Sequence, residues 1–297
     1  MLTLFTLPRS FVAPFDRIQT NAFASWRRLE PKPELIFIGD DSGVRASASQ
    51  FEAIHSPDLN CNHLGTPLVN HLFSSATKFT RTPFQGFVNA DIILDPSLPP
   101  LVEDITRRLP NVLIVSRRWD LDVHEAIDFS QPKAFSELAN RARSEGQLYS
   151  HHGMDLFVFR TGAFDDMPDF SIGWPGAKYD NWLVYSARRR RMAVVDITDA
   201  VTTIHQNHPT GSGTRPEKAE EHWISLDLLG GHGCCFDIRD ATHVVTKDGE
   251  IRKNRRSKNT IQRALFRSAQ RVRYQLRRRL LGFRYSRTHA TIPTRLT

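Results

Sequence analysis

The sequence predicts an α/β protein with a mainly parallel central sheet, helices on both faces of that sheet, and a basic amphipathic helix near the carboxyl end. Short apolar runs alternate with helical patterns through the first 200 residues, which is typical of a parallel sheet covered by helices. Fifteen Lys and Arg residues follow Glu250, and no Asp or Glu does. We therefore expect one α/β domain over residues 1–240 and a basic tail over residues 241–297.

The first elements follow from apolar spacing and from proline. Residues 2–7 are an apolar run that predicts a strand, and Pro8 ends it. Residues 35–38 predict a second, buried strand that leads into a turn-forming acidic segment over residues 39–43. A helix is expected between these strands, because apolar residues recur at helical spacing: Ile18, Ala22, Trp26 and Leu29.

The middle of the chain continues the alternation of strands and helices. Thr66 and Pro67 are typical of a helix start, and an apolar stripe follows them. Residues 84–94 predict one long strand, and Pro99 and Pro100 open the next helix. Further strands are expected at residues 111–116, 154–159 and 192–195, and further helices at residues 135–142 and from 180 onward. This makes about six strands, followed by a loop over residues 205–221 that is rich in Gly, Pro, Thr, Ser and charge.

The tail has the pattern of a basic amphipathic helix. Its apolar stripe is interleaved with arginines and consists of Ile261, Leu265, Ala269, Val272, Leu276 and Leu280. Such a helix over residues 255–284 would bind an anionic membrane surface, at about 1 kcal/mol per basic residue. Binding to nucleic acid and partial disorder are the alternatives for the tail. Residues 1–250 carry 25 basic and 32 acidic residues, a balance that disfavours nucleic acid as a partner of the main domain.

Cysteine spacing and hydropathy indicate the cellular compartment that we expect for the protein. Cys61, Cys234 and Cys235 have no spacing suited to a zinc site or a disulfide framework. No apolar run approaches the roughly 20 residues that a membrane span requires. We therefore expect a cytoplasmic protein, in reach of the inner face of the membrane through its tail.

Acidic side chains are expected where strands of the sheet end, the place where open α/β sheets bind ligands. They are Asp40, Asp41, Asp91, Asp120 and Asp122. Asn89 and Asp91 stand two apart in an apolar run, so one face of a strand would carry both, and a charge there needs a cation or hydrogen bonds. Mg²⁺ or Mn²⁺ held by Asp91 together with His205 or His208 would meet that need. The alternatives are a carboxylate that caps a helix and two ordinary surface histidines.

Six segments, taken in order, resemble GT-A-type glycosyltransferases, and more narrowly a group of glycosyltransferase-like proteins of bacteria and plants. The resemblance covers about residues 1–235 and does not extend to the tail. The segments are Ile38-Gly39-Asp40-Asp41-Ser42-Gly43, Asn89-Ala90-Asp91, Arg117-Arg118-Trp119-Asp120-Leu121-Asp122, Gly153-Met154-Asp155-Leu156-Phe157-Val158-Phe159, Tyr179-Asp180-Asn181-Trp182-Leu183 and His205-Gln206-Asn207-His208.

This resemblance implies a GT-A-like fold and a hexosyltransferase of polysaccharide biosynthesis. The enzyme would move a sugar from a nucleotide-diphosphate donor, such as a UDP-sugar, to a hydroxyl of a saccharide or a lipid-linked saccharide. By the same resemblance, the donor's nucleoside would be held by Leu7, Pro8, Arg9, Asp40 and Asp41. Asp91 would be the metal-binding carboxylate, with Asn89 in place of the first acid of the family's metal motif, which lowers the negative charge there.

Asp180 is similar in placement to the catalytic base of inverting members, which takes a proton from the acceptor hydroxyl. The alternative is that Asp180 only caps its helix, and Asp155 is the rival base. Arg117 and Arg118 would neutralise the diphosphate, unless one of them pairs with Asp120 or Asp122. The loop over residues 209–221 could close over the donor, and the alternative is a simple solvated loop. The alternative function is a non-catalytic nucleic-acid-binding protein that acts through the basic tail.

Overall fold

The structure is a computed structural model that describes residues 2–172, 179–209 and 216–254, together with residues 265, 266, 268–270 and 272–276. Thirteen strands lie in these residues: β1 (Leu2–Thr6), β2 (Glu34–Ile38), β3 (Ile54–Ser56), β4 (Phe84–Val88), β5 (Ile92–Ile93), β6 (Val112–Arg117), β7 (Trp119–Leu121), β8 (Gln147–Leu148), β9 (Met154–Arg160), β10 (Ala193–Asp196), β11 (Ile204–Gln206), β12 (His243–Val245) and β13 (Ile251–Lys253).

Seven α-helices precede residue 254 among the described residues. They are α1 (Phe15–Trp26), α2 (Val44–Gln50), α3 (Val69–Phe79), α4 (Leu98–Arg108), α5 (Ala134–Ser144), α6 (Tyr179–Arg189) and α7 (Pro216–Leu229). Short 3₁₀ turns follow at His232–Cys234 and Ile238–Asp240. The described residues between 265 and 276 are helical as well.

Nine strands form the central sheet, in the order β13-β12-β10-β6-β9-β4-β1-β2-β3. Five of its neighbouring pairs are parallel. The pairs of β9 with β4 and β6, and the pair of β12 with β13, are antiparallel. The predicted α/β class with a mainly parallel sheet is therefore confirmed.

Helices cover both faces of this sheet, as the alternation of buried side chains requires. On one face, Phe5 and Phe87 pack with residues of α3, α6 and α7. On the other face, Leu4 and Val88 pack with residues of α1, α2 and α4. The sheet thus lies between two apolar cores.

A second sheet of four strands, in the order β5-β11-β7-β8, carries most of the polar residues of interest. It packs on α5 through Leu121, Leu138 and Ile204. Its strands are only two or three residues long, so they carry no periodic pattern that a sequence could reveal.

The structure corrects the long strand predicted over residues 84–94. The run divides into β4 in the nine-stranded sheet and β5 in the four-stranded sheet, with Asn89 and Asp91 in the connection between them. The two side chains are therefore not neighbours on one strand face, as predicted. A turn closes here, because the Ile92 amide donates a 3.2 Å hydrogen bond to the Asn89 carbonyl.

Three other expectations also differ from the structure. Helix α3 begins at Val69 rather than at Thr66, and Pro67 forms an isolated bridge with Cys61. The loop predicted over residues 205–221 begins inside β11 and ends inside α7, while residues 210–215 lie outside the described residues. The expected six strands are too few, because strands of two or three residues were not recognised.

Strands β12 and β13 come from the segment that the sequence analysis assigned to the tail, and both belong to the nine-stranded sheet. Asn254 continues this contact, since its amide donates a 2.8 Å hydrogen bond to the Thr242 carbonyl. A tail that follows the sheet would thus begin after Asn254. Among the described residues, no helix has both the length and the apolar character needed to cross a bilayer.

Candidate active site

Asp91 lies in the connection between β4 and β5, where the chain passes from the large sheet to the small one. Gln206 fixes its backbone twice, through its main-chain amide at 3.3 Å and its side-chain amide at 3.2 Å from the Asp91 carbonyl oxygen. The Asp91 side chain is thereby held at the edge where β11 ends. Its position follows from the pairing of β11 with β5.

The two predicted histidines lie beside Asp91. Strand β11 places His205 opposite Ile92 on one side and opposite Asp120 on the other. His205 Nε2 lies 3.5 Å from Asp91 Oδ2, and His208 Nε2 lies 3.2 Å from the same oxygen. One ligand atom from each of the three side chains can be chosen so that all lie within 4.8 Å of one another. The sequence prediction that Asp91 and these histidines come together agrees with this geometry.

The cluster has the features of a cation site. Asp91 Oδ1 and His205 Nδ1 are buried and have no hydrogen-bond partner among the described residues. A buried carboxylate oxygen without a partner costs free energy that a bound cation would recover. One carboxylate and two imidazoles are a donor set that suits Mn²⁺ and other first-row metals better than Mg²⁺, which prefers oxygen. The residues therefore fit a divalent metal.

The protonation of the cluster follows from its close packing. Burial disfavours charge on the Asp91 carboxylate, but the contacts with His205 and His208 outweigh it and hold the pKa of Asp91 well below its usual range. Burial also disfavours charge on His205, yet Asp120 and Asp91 raise the pKa of its ring to about 9. Without a metal, His205 is therefore protonated at neutral pH, and its positive charge lies between the two carboxylates.

A chain of polar side chains extends from this cluster into the protein. His205 Nδ1 lies 3.1 Å from Asp120 Oδ1, so the two side chains form an ion pair when the ring is protonated. Arg118 bridges two carboxylates, with Nε 2.9 Å from Asp120 Oδ1 and Nη1 2.7 Å from Asp155 Oδ2. Asn89 donates its side-chain amide to the other oxygen of Asp155. Asn89 is thus connected to Asp91 by the backbone and also by a series of side-chain contacts through Asp155, Arg118, Asp120 and His205.

The predicted nucleoside-binding residues lie at the ends of β1 and β2. Asp41 Oδ2 accepts the amide of Ser10 at 3.2 Å, so the loops after the two strands are joined. Asp40 lies 3.6 Å from His55 Nε2. Asp40 and Asp41 are exposed, Leu7 is half-buried, and Pro8 is buried.

Arg9 connects this region with the group of Asp91, His205 and His208. Its guanidinium carbon lies 4.0 Å above the centre of the Phe15 ring, and Phe15 packs edge-on against His208 with ring centres 5.1 Å apart. Gln19 clamps the backbone of Arg9, accepting from its amide at 2.6 Å and donating to its carbonyl at 3.0 Å. An exposed cation is therefore fixed beside the Asp91 group.

The two predicted catalytic carboxylates both act electrostatically on the buried Tyr179. Burial first, and then the negative charges of Asp180, Asp155 and Asp91, raise the pKa of Tyr179 well above its usual value. Asp180 is the second residue of α6, and its Oδ1 accepts the Asn181 amide at 2.8 Å, as the helix-capping alternative expects. Asp155 has both oxygens engaged, one by Asn89 and one by Arg118.

The two predicted diphosphate arginines differ in their partners. Arg117 Nε donates to the Tyr149 carbonyl at 2.9 Å, and Arg118 forms the two ion pairs described above and stacks on the Tyr149 ring. The pairing of Arg118 with Asp120 agrees with the alternative that the sequence left open. A role of either arginine at a diphosphate stays a prediction.

Sequence reasoning missed the buried amides that support the site. Gln206 donates to the Ile18 carbonyl at 2.8 Å and accepts from Asn21 at 3.0 Å, while Asn21 also donates to the Glu125 carbonyl. The available signal was the placement of Gln19 and Asn21, two uncharged polar residues next to the apolar stripe of α1. Buried amides at such positions need partners, which lie in distant segments that periodicity does not reveal.

No protein-family model matches the sequence, and no curated protein matches it significantly. Among solved structures, TarS of S. aureus in complex with UDP-GlcNAc is similar over 77% of this chain and 66% of its own, with 9% identity and a TM-score of 0.49. The chain thus spans slightly less than two thirds of that TarS fragment.

Glucosyl-3-phosphoglycerate synthase of Mycobacterium tuberculosis in complex with Mg²⁺ and UDP is similar over 78% of this chain and 80% of its own, with 12% identity and a TM-score of 0.48. A second structure of that synthase, with Mn²⁺, UDP and phosphoglyceric acid, has 11% identity and a TM-score of 0.47. At these identities and TM-scores, the similarity assigns the chain neither a family nor an activity.

Proposed function

We propose that this protein is a glycosyltransferase that moves a sugar from a nucleotide-diphosphate donor to an acceptor hydroxyl. The main support for the proposal is the group of Asp91, His205 and His208 at the carboxyl-end edge of an α/β sheet. Within this group, the buried Asp91 Oδ1 has no hydrogen-bond partner among the described residues. That edge is where such sheets bind ligands. A UDP-sugar as donor and a saccharide or lipid-linked saccharide as acceptor are the finer form of the proposal.

The donor diphosphate would lie against Asp91, His205, His208 and Arg9. A divalent cation held by the first three would neutralise charge on the departing diphosphate. Arg9 adds a positive charge that is exposed and fixed close to His208 through Phe15. The nucleoside would extend from there toward Asp40 and Asp41, of which Asp41 is bound to the loop after β1 through Ser10.

Asp180 is the base that we propose for the acceptor hydroxyl, which gives inversion at the anomeric carbon. The rival, Asp155, has one oxygen bound to Arg118 and the other to Asn89, so both of its oxygens already have partners within the protein. Asp155 would instead hold Arg118 in place. Asp180 lies at the start of α6, and its negative charge raises the pKa of Tyr179, as the charge of Asp91 also does.

The test is release of nucleoside diphosphate from a panel of sugar nucleotides, with Mn²⁺ or Mg²⁺, by the native chain and three carboxylate-to-amide variants. Asp91→Asn is expected to lower turnover by about 100-fold or more and to weaken Mn²⁺ binding. Asp180→Asn is expected to lower turnover by a similar factor with Mn²⁺ affinity unchanged. Asp199→Asn is the matched control, because Asp199 is exposed and also follows a strand of the sheet.

Two results would overturn the proposal. One is an absence of turnover and of thermal stabilisation with every donor tested, since a bound donor must stabilise the folded state. The other is an Asp91→Asn variant as active as the Asp199→Asn control. No contact among the described residues favours the nucleic-acid-binding alternative.

A further inference from the structure

The described helical residues of the tail pack one face against the domain. The Tyr274 hydroxyl lies 2.5 Å from Asp227 Oδ1 in α7. Its ring covers Gly231, where an added Cβ would lie 2.6 Å from Tyr274 Cγ. Gln270, one turn earlier, is half-buried like Tyr274. Tyr274 and Gln270 therefore mark the face of this helix that contacts the domain.

The apolar stripe of the same helix faces the other way. Leu265, Val272 and Leu276 are 66%, 55% and 52% exposed. Within the helical residues 272–276, a rotation of about 100° per residue puts Val272 and Leu276 on one face, about 160° away from Tyr274. The docking of Tyr274 thus turns the stripe outward, the reverse of what an amphipathic helix of a soluble domain does.

The charge around this face is positive. Fifteen Lys and Arg residues and no acidic residue follow Glu250. Four further arginines, Arg188 to Arg191, lie at the end of α6 and directly after it, and all four are exposed. Helix α6 contacts the 3₁₀ turn at His232–Cys234, which directly follows the Gly231 that Tyr274 covers. The arginines of α6 and the tail helix therefore meet on one side of the domain.

We propose that this side, with Leu265, Val272 and Leu276 inserted at the boundary of headgroups and acyl chains, binds the surface of an anionic lipid bilayer. An apolar stripe flanked by basic residues is the pattern of a helix that lies in a membrane interface. Anionic headgroups complement the arginines, and acyl chains cover the stripe. A second copy of the chain is a poorer occupant, because it would bring two positively charged surfaces together. Nucleic acid is also a poorer occupant, because its phosphates would leave the apolar stripe exposed to water.

The test measures co-flotation of the full chain with vesicles of phosphatidylcholine alone, or of phosphatidylcholine with phosphatidylglycerol. Binding is expected only with the anionic vesicles and is expected to weaken as salt rises. The variant Val272→Gln/Leu276→Gln is expected to weaken that binding by about tenfold or more. The control Ser268→Gln/Gln275→Ser changes two exposed positions beside the stripe, alters no charge, and should change binding by less than about threefold.

Thermal unfolding of both variants should match the native chain, because all four positions are exposed. Equal binding to neutral and anionic vesicles, or equal binding of the native chain and the stripe variant, would refute the proposal. Sedimentation that shows a dimer lost in the stripe variant would assign the stripe to a second copy. Binding of a short RNA or DNA duplex that the stripe variant loses would assign it to nucleic acid. None of these outcomes depends on the proposed transferase activity.

Discussion

At the scale of single residues, the position of Asp91 depends on one uncharged side chain. Gln206 is fully buried, and its amide joins the Asp91 carbonyl, the Ile18 carbonyl and the Asn21 side chain. Three segments far apart in sequence therefore meet at one amide. Groups that orient a ligand in this way usually matter almost as much as the ligand itself.

Gln206→Leu is expected to lower Mn²⁺ affinity by about 10- to 100-fold, because Asp91 loses a partner that holds it in place. The control is Gln85→Leu, which removes an equally buried amide that bonds Thr77 and Thr80, far along the sheet. Both variants should lose about 2 kcal/mol of unfolding free energy. Calorimetric titration with Mn²⁺ distinguishes them, and equal affinities in both variants would contradict the positioning role.

Arg118→Ala is expected to destabilise the protein by about 3 kcal/mol, because it leaves buried carboxylates without their cation. The Asp155 side chain that it pairs with is only 8% exposed. Arg252→Ala is the control, since Arg252 and Glu250 are 62% and 60% exposed and such pairs contribute less than about 1 kcal/mol. Urea unfolding measures both, and a loss of under 1 kcal/mol for Arg118→Ala would mean that water reaches Asp155.

At the scale of elements, the sequence predicted the long elements and missed the short ones. Helix α4 and strands β2 and β6 begin within one or two residues of their expected starts, because apolar runs and prolines are local signals. Helix α1 is displaced from its expected apolar stripe, since it begins three residues before Ile18 and ends three residues before Leu29. The break at Asn89 and the strand that carries His205 could not be predicted in this way. Strand β11 exists because it pairs with β5 and β7, and pairing between distant segments leaves no local pattern.

The acidic segment after β2 shows how a turn fixes an element start. Gly43 precedes α2 with φ of +87°, and an added Cβ would lie 2.7 Å from Phe11 Cβ. Gly43→Ala is expected to cost about 2 to 4 kcal/mol, from the positive φ and the contact together. Gly65→Ala is the control, with φ of +77° and no atom within 4 Å, and should cost only about 1 to 2 kcal/mol. If thermal unfolding gives the same loss of stability for both variants, the loop that contains Phe11 moves away from the added Cβ at little cost.

At the scale of the whole molecule, the basic excess of the chain begins close to the residue where the last strand of the sheet ends. The sheet ends at Lys253, and residues 1–254 carry 27 basic and 32 acidic residues, whereas the full chain has a formal charge of +8. Composition showed the division of charge, but the tail predicted from residue 241 included β12 and β13, which belong to the sheet. The sequence could not reveal which way the tail helix faces, since that depends on the contacts of Tyr274 with Asp227 and Gly231.

Removal of residues 255–297 should therefore separate two properties of the protein. Asn254 would remain anchored by its bonds to the carbonyls of Thr242 and Ala241, so the sheet is expected to stay intact. Loss of the Tyr274 contacts should cost about 1 kcal/mol and lower the midpoint of thermal unfolding by a few degrees. Nucleoside diphosphate release should change by less than about twofold, while binding to anionic vesicles should vanish. A truncated chain that folds but has no turnover would place part of the active site in the tail, whereas one that still floats with vesicles would move the membrane-binding surface onto the domain.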